Sequence, residues 1–281
     1  MSHYTHIETD AGWHEYRSRI GGRGVDAVAM DIEGEFNLHV YGERFCLLQL
    51  YDGHEQVVVD PTTVSASLIG ELLEDESIEK ITYDSASDRV LLAKTHGITV
   101  RAIVDLRPAV ELLEFAKQDL KSVIEETIGG TDSGSKKRFQ QYNWTRRPID
   151  PGAIEYALQD VYHLFAVRDA LFERLAAAGL MDAYVQENRK RQERVPDVNR
   201  KPGVFRSGRH KRLTRDQKHE FERLYDIRER HAKELDLPPN TVVANDDLFA
   251  LAAGAITPDQ IRGNRRLPDA TLRRIKSDMG R

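Results

Sequence analysis

The sequence predicts an α/β domain, a sheet flanked by helices, followed by a small all-α helical bundle. Three observations carry this: short apolar runs spread through the first 105 residues, helical spacing over the remainder of the chain, and a basic stretch broken by proline and glycine before the last helices. Period-2 and continuous apolar runs place strands at residues 26–31, 45–51, 56–60, 80–83 and 102–105. The run Val28-Ala29-Met30 marks the first of these as a buried central strand. Helices are expected at 64–73, 85–96 (Ser85 as N-cap, Gly97 as stop), 106–116 and 119–128, the last ended by Gly129 and Gly130. After a polar stretch from Thr131 to Arg147, Pro151 opens a long helix reaching about residue 178. In the tail, helices are expected at 215–235, 246–253, 258–263 and 268–279.

Length and composition agree with this division. At 281 residues, 40% of them hydrophobic, the chain has room for one large and one small domain, and its apolar runs are too frequent for a disordered polymer. We divide it into a domain at residues 1–185, a basic linker at 186–210 and a helical module at 211–281. Cys46 is the one cysteine, which excludes an intramolecular disulfide. No stretch approaches the roughly 18 apolar residues of a membrane span. The first residues lack the basic and apolar regions of a signal peptide, so no membrane partner and a cytoplasmic address are expected.

The net charge of −5 hides an asymmetry. Residues 185–281 hold 23 Lys/Arg against 15 Asp/Glu, a balance of +8, which leaves −13 on residues 1–184. An acidic body repels a polyanion. If nucleic acid is the partner, the tail and local basic loops must supply the attraction, while the acids serve another purpose such as holding divalent metal.

Three groups of residues could serve that purpose. Asp31 and Glu33 alternate at the end of the first strand, so both carboxylates leave one face; a solvated strand end is the competing reading, but at the mouth of a buried strand like charges call for a cation. Asp88 lies in the first turn of the helix after the fourth strand, where an idle acid favoured by the helix dipole is the competing reading; Asp84 reads as structural. Tyr156 and Asp160 stand four residues apart in the long helix and address one volume.

Asp31, Glu33, Asp88, Tyr156 and Asp160, in this order, resemble the ribonuclease D family of 3′-5′ exonucleases, the tyrosine-bearing branch of a four-carboxylate superfamily. The same order holds for Cys46-Leu47-Leu48-Gln49-Leu50 and for the block from Gln140 to Pro148. The resemblance spans roughly residues 5–185 and implies a ribonuclease H-like mixed sheet. Residues 211–281 resemble an HRDC domain, a helical nucleic-acid-binding module, through Leu224-Tyr225-Asp226-Ile227, Leu237-Pro238-Pro239 and Asp246-Asp247-Leu248-Phe249.

The resemblance implies a role for each residue. Two divalent cations, Mg²⁺ or Mn²⁺, would be held with Asp31 between them, Glu33 and Asp160 on the one carrying the attacking water, and Asp88 on the other. Tyr156 would orient that water. The single-stranded 3′ end of RNA, or of DNA, would be gripped by Lys137, Gln141, Trp144 and Arg147, with Leu38 and His39 near the terminal nucleotide. Trp144 has a second reading, packing its loop against the long helix, and His39 a second as a polar hairpin residue. The expected function is a 3′-5′ exoribonuclease releasing nucleoside 5′-monophosphates in 3′ processing of structured, tRNA-type RNA or in RNA turnover. A DNA-directed or nano-RNA exonuclease and a catalytically idle nucleic-acid scaffold stay open as alternatives.

Overall fold

The computed structural model describes residues 4–129, 139 and 141–281. Its first unit, residues 1–34 and 44–198, is built on a six-stranded sheet in the order β1-β4-β3-β2-β5-β6. The strands are β1 (Tyr4–Ile7), β2 (Ala27–Phe36), β3 (Glu43–Tyr51), β4 (Gln56–Val59), β5 (Glu79–Thr82) and β6 (Ile103–Asp105). β2 pairs with β5, β5 with β6, and β1 with β4 in parallel, while β3 and β4 run antiparallel, so the sheet is mixed.

Each face of the sheet buries its own helices, and the alternation of β2 shows why. Val28, Met30 and Ile32 join a core with α1 (Asp10–Arg23), α2 (Ala66–Leu73) and α3 (Ala86–His96). Ala27 and Ala29 face the other core, shared with α4 (Arg107–Leu112), α5 (Leu120–Ile128), α6 (Pro151–Tyr162), α7 (Leu164–Ala177) and α8 (Met181–Glu193). The odd-numbered positions of β2 therefore look toward the layer that contains α6.

Several expectations need correction. β2 does not end at Asp31 but runs on to Phe36, so Glu33 and the buried Glu35 extend the same face. β1 and α1 are elements that the apolar patterns do not announce. β1 reads Tyr-Thr-His-Ile, too polar for an apolar pattern, because it is an edge strand. α1 contains three glycines and buries only Trp13, Tyr16 and Ile20, although the 13/16/20 spacing and a Thr9 whose side chain accepts from Gly12 N are legible signals. The single helix expected from Pro151 is two, α6 and α7, which meet at His163 with neither proline nor glycine to mark the break.

The linker expected at 186–210 also begins too early. α8 carries straight through residue 185 to Glu193, because Tyr184 and Asn188 are buried against β6, and the first unit closes only at Val198. Within the remainder are two short helices, α9 (Gly203–Arg206) and α10 (Gly208–Lys211).

The second unit, residues 35–43 and 199–281, packs α11 (Arg215–Leu235), α12 (Pro239–Val242), α13 (Asn245–Ala252) and α14 (Asp269–Met279) around Phe221, Leu224, Leu248, Phe249 and Ile275. A capping box between Thr214 and Gln217 starts α11. The helix expected at 258–263 is only a 3-10 turn over Pro258–Gln260. Ile261 is extended and enters the core, and Gly263 sits where an added Cβ would lie 2.6 Å from Leu272 Cδ2. The turn between β2 and β3 belongs to this unit, with Tyr41 N donating to Asp236 Oδ1 at 3.2 Å and Arg266 Nη2 to the His39 carbonyl at 3.2 Å. Among the described residues, no helix is long and apolar enough to cross a membrane.

Candidate active site

Asp31 and Glu33 follow the apolar part of β2 on its odd face, so their carboxylates emerge beside α6. Asp150 starts α6 by accepting from Gly152 N at 2.7 Å, with Pro151 at the first helical position. Ala157, Leu158 and Val161 bury one face of α6 against the sheet, and Gln56 Nε2 of β4 donates to the Leu158 carbonyl at 3.4 Å. That seating carries Asp160 to the β2 carboxylates. One ligand oxygen each from Asp31, Glu33 and Asp160 lie within 4.8 Å of one another, and all three residues are half-buried.

Gathering unneutralised acids costs free energy, and their ionisation records it. Burial, then the charges of Asp88, Glu33 and Asp160, push the Asp31 carboxyl well above the usual carboxylate range. Burial, then Asp160 and Asp88, push Glu33 up to about 8. Burial raises Asp160 to about 6 and Asp88 to about 7. The donor set consists of carboxylate oxygens alone, with no sulfur or imidazole, which suits a hard divalent cation that would offset the repulsion.

Asp88 is not among the three clustered ligands. It sits in the first turn of α3, close enough for its charge to raise both Asp31 and Glu33. Tyr156 lies one turn before Asp160, packed against the core, with its ring centroid 6.1 Å from that of Phe139. Burial, followed by the charges of Asp160, Glu33 and Asp31, pushes its phenol up to about 12, so it keeps its proton at neutral pH.

A carboxyl whose pKa is raised in the folded state destabilises the metal-free fold once pH exceeds its unfolded value of about 4, and the full penalty is reached above its folded value. For Asp160 the window therefore runs from about 4 to about 6. In chelator, Asp160→Asn is expected to melt with wild type near pH 4 and roughly 2–4 °C higher above pH 6, about 1 kcal/mol after solvent screening. Calorimetry across that range checks this; a variant melting below wild type at pH 7 contradicts the electrostatic account.

The residues expected to grip substrate fare differently. Trp144 is 4% exposed and packed in the α6-side core edge-on to Tyr142, 4.9 Å between centroids, so its second reading holds and it offers no face for stacking. Arg147 is spent on structure. Nε and Nη2 bind the Asp60 carboxylate, Nη2 also donates to the Cys46 carbonyl at 2.8 Å, and Nη1 donates to the carbonyls of Trp144 at 2.7 Å and Arg146 at 2.8 Å. All five guanidinium N–H groups are thereby engaged and none is left for a phosphate. Gln141 is exposed. Leu38 is 54% exposed, and His39 is half-buried, its Nδ1 3.1 Å from Glu35 Oε2, on the turn that groups with the second unit. Lys137 lies outside the described residues. Glu35 is a residue the sequence reading misses, although the alternation through 31 and 33 points to it; its carboxylate accepts from His39 N at 2.9 Å and from Leu38 N, so it shapes the turn.

The profile of the 3′-5′ exonuclease family matches residues 4–176, well over half of the chain, and the chain belongs to that family. Among curated relatives, ribonuclease D of Escherichia coli K12 is 28% identical over 236 residues, which cover 82% of this chain and 61% of the relative. Ribonuclease D of Desulfotalea psychrophila is 24% identical over 270 residues, covering 91% and 68%. The chain thus spans about three-fifths of the length of the E. coli relative.

Solved structures agree on the fold. The crystal structure of E. coli RNase D, an exoribonuclease involved in structured RNA processing, superposes with a TM-score of 0.67 at 23% identity over 99% of this chain and 75% of that one. The catalytic core of RRP6 from Trypanosoma brucei gives 0.76 at 19% identity, covering 99% and 80%. NrnC of Brucella melitensis with bound Mg²⁺ gives 0.52 at 21% identity, covering 69% and 92%.

Proposed function

We propose that the protein is a divalent-metal-dependent 3′-5′ exoribonuclease, releasing nucleoside 5′-monophosphates from single-stranded 3′ ends in structured-RNA processing or turnover. The observation that carries the reading is the meeting of Asp31, Glu33 and Asp160 within 4.8 Å on the face that also bears Tyr156. The relatives named ribonuclease D favour RNA over DNA, the Mg²⁺-bound fold neighbour favours a hard cation, and trimming of tRNA-type precursors is the finer part of the proposal. A cytoplasmic address belongs to the same reading.

The side chains divide the work. Asp31, Glu33 and Asp160 would hold one Mg²⁺ or Mn²⁺, and Asp31 with Asp88 a second; bound there, the cations supply an activated water and neutralise charge at the leaving oxygen. Tyr156, whose phenol stays protonated, acts by hydrogen bonding and orients the attacking water instead of removing its proton. Burial of the carboxylates lowers the local dielectric and strengthens their hold on a cation.

One assay tests this reading: 5′-labelled RNA and DNA of equal sequence, with Mg²⁺, Mn²⁺ or chelator. The expected result is a ladder of stepwise loss from the RNA 3′ end that chelator stops. Internal cleavage bands, or full activity in chelator, overturn the mechanism; faster digestion of DNA overturns the substrate assignment.

We assign the second unit, an HRDC-like bundle, to retention of RNA through its basic surface. Arg262, Arg265 and Arg273 are exposed on it. Replacing all three by Gln is expected to weaken binding to long single-stranded RNA and to reduce the slope of log K against log salt by about 2, since each phosphate no longer neutralised removes about 0.7. An unchanged slope in a fluorescence-anisotropy salt titration rejects that assignment.

A further inference from the structure

We propose that Asp105, Asn188 and Arg89 are positioning residues for Asp88, which makes α8 part of the catalytic apparatus. The inference rests on the reading of Asp88 as a metal ligand. The sequence of α3 starts that helix only weakly. Ser85, the N-cap residue, makes no side-chain capping bond, and Asp84 before it has a φ of +57°, a conformation a non-glycine residue keeps only when its surroundings impose it.

The imposing group is Asp105. Its buried carboxylate, 3% exposed, accepts from Asp84 N at 3.0 Å, Ser85 N at 3.2 Å, Ser85 Oγ at 3.3 Å and Arg107 N at 2.9 Å. Two oxygens thus fix two successive backbone amides at the mouth of α3. Arg89 N then donates to the Ser85 carbonyl at 3.0 Å, and Asp88 hangs from that same first turn.

Asp105 is in turn held by α8. Among the described residues, β6 ends the sheet and its outer edge has no strand partner. A stripe of α8 side chains spaced by four takes that place. Asn188 donates through Nδ2 to the Ile103 carbonyl at 2.8 Å and accepts through Oδ1 from Asp105 N at 3.1 Å. Gln192 Oε1 accepts from Ile103 N at 3.1 Å, and the Tyr184 hydroxyl donates to the Asp105 carbonyl at 3.2 Å. The carboxamide of Asn188 thus acts as one residue of a missing strand.

α8 also reaches the far side of Asp88. The guanidinium of the adjacent Arg89 is buried and donates to the carbonyls of Arg191, Gln192 at 2.8 Å and Arg194 at 3.1 Å, at the end of α8 where helical carbonyls lack partners. Asp88 is therefore bracketed. Residues 84–85 before it are fixed through Asp105, residue 89 after it is fixed directly, and both routes end on α8. Metal ligands tolerate little displacement, and groups that orient them change metal affinity by roughly 10- to 100-fold when altered.

The test uses full-length Asp105→Asn and Arg89→Gln, with Asp88→Asn as reference, titrated with Mn²⁺ by paramagnetic resonance and assayed on single-stranded RNA, each with its melting temperature. Asp105→Asn keeps one accepting oxygen but turns the other, which receives backbone N–H groups, into an amide donor, and Arg89→Gln serves if that variant does not fold. The expected result is Mn²⁺ affinity about tenfold weaker and a lower kcat, partly restored by excess Mn²⁺, with KM for RNA unchanged; Arg89→Lys, which keeps a cation, is expected to fall between. Lower melting temperatures with Mn²⁺ affinity and kcat within twofold of wild type overturn the proposal and leave the three residues a purely structural role. If Asp88→Asn itself binds Mn²⁺ and turns over like wild type, the site reading fails, a result distinct from failure of the positioning alone.

Discussion

Asp31→Asn is expected to reduce turnover of RNA by roughly 10³-fold or more, about 4 kcal/mol of transition-state stabilisation, while affinity for RNA measured in chelator stays within a few-fold. The loss is expected to be this large because the ionisation of Asp31 feels all the other acids of the site: Asp88, Glu33 and Asp160 each raise it. An amide in its place keeps the shape but cannot carry the negative charge that a shared cation needs. Asp160→Asn and Asp88→Asn are expected to abolish turnover in the same way. Tyr156→Phe should lose less, roughly 10- to 100-fold, because a phenol held near 12 contributes a hydrogen bond and not a base. Single-turnover kinetics on 5′-labelled RNA separate the two classes. Asp31→Asn with wild-type turnover would remove the carboxylates from the mechanism, and a Tyr156→Phe loss equal to that of Asp31→Asn would make the phenol more than an orienting group.

The largest effect on stability is expected at Arg147. Three of its five N–H groups tie the segment before α6 to β3, through the Cys46 carbonyl, and to Asp60, which is 1% exposed, while the other two donate to the Trp144 and Arg146 carbonyls of the segment itself. Arg147→Ala leaves that carboxylate buried with, among the described residues, the Thr62 amide and hydroxyl, at 2.9 Å and 2.6 Å, as remaining partners. Asp60 is buried but Arg147 is itself exposed, so the cost lies below that of a fully buried pair, at about 2–3 kcal/mol, or a fall in Tm of roughly 5–10 °C for a unit of this size. Arg147→Lys should recover little, since an ammonium cannot reproduce the planar fork. Burial pushes the Asp60 carboxyl up, but the bonds from Arg147 and Thr62 outweigh it and hold it below its ordinary value. The pair's stabilisation is therefore present above the unfolded value of about 4 and is lost as pH falls further, so the difference between wild type and variant should shrink in acid. Well below its Tm, Arg147→Ala should cleave RNA with a near-normal KM; a normal Tm with a raised KM would restore the phosphate-binding role that the sequence suggested.

Arg147 and Trp144 show where sequence reasoning stops. A basic and aromatic loop is what a nucleic-acid grip requires, but also what is needed to pin an irregular segment onto a sheet. The two uses differ only in what the donors and rings meet. For Arg147 those partners lie 87 and 101 residues away, at Asp60 and Cys46, and nothing local predicts them. The domain limit at 185 failed for a related reason. α8 is polar by composition, so it reads as a solvated connection, whereas its Tyr184 and Asn188 are buried against β6.

The order and facing of the reactive groups are written in the chain itself. Asp31 and Glu33 share a face because extended chains alternate, and Tyr156 and Asp160 share one because helices repeat near four, rules that need no tertiary contact. The division into an acidic body and a basic tail is equally legible, since charge is a property of composition. Which carboxylates meet is a matter of long-range packing. Seating α6 on the odd face of the sheet brings Asp160 within 4.8 Å of the β2 pair and leaves Asp88 outside that cluster, on a helix whose entry is set by Asp105 and α8. The physical reason is range: backbone geometry fixes neighbours a few residues apart, while the meeting of residues 31 and 160 depends on which apolar faces bury each other.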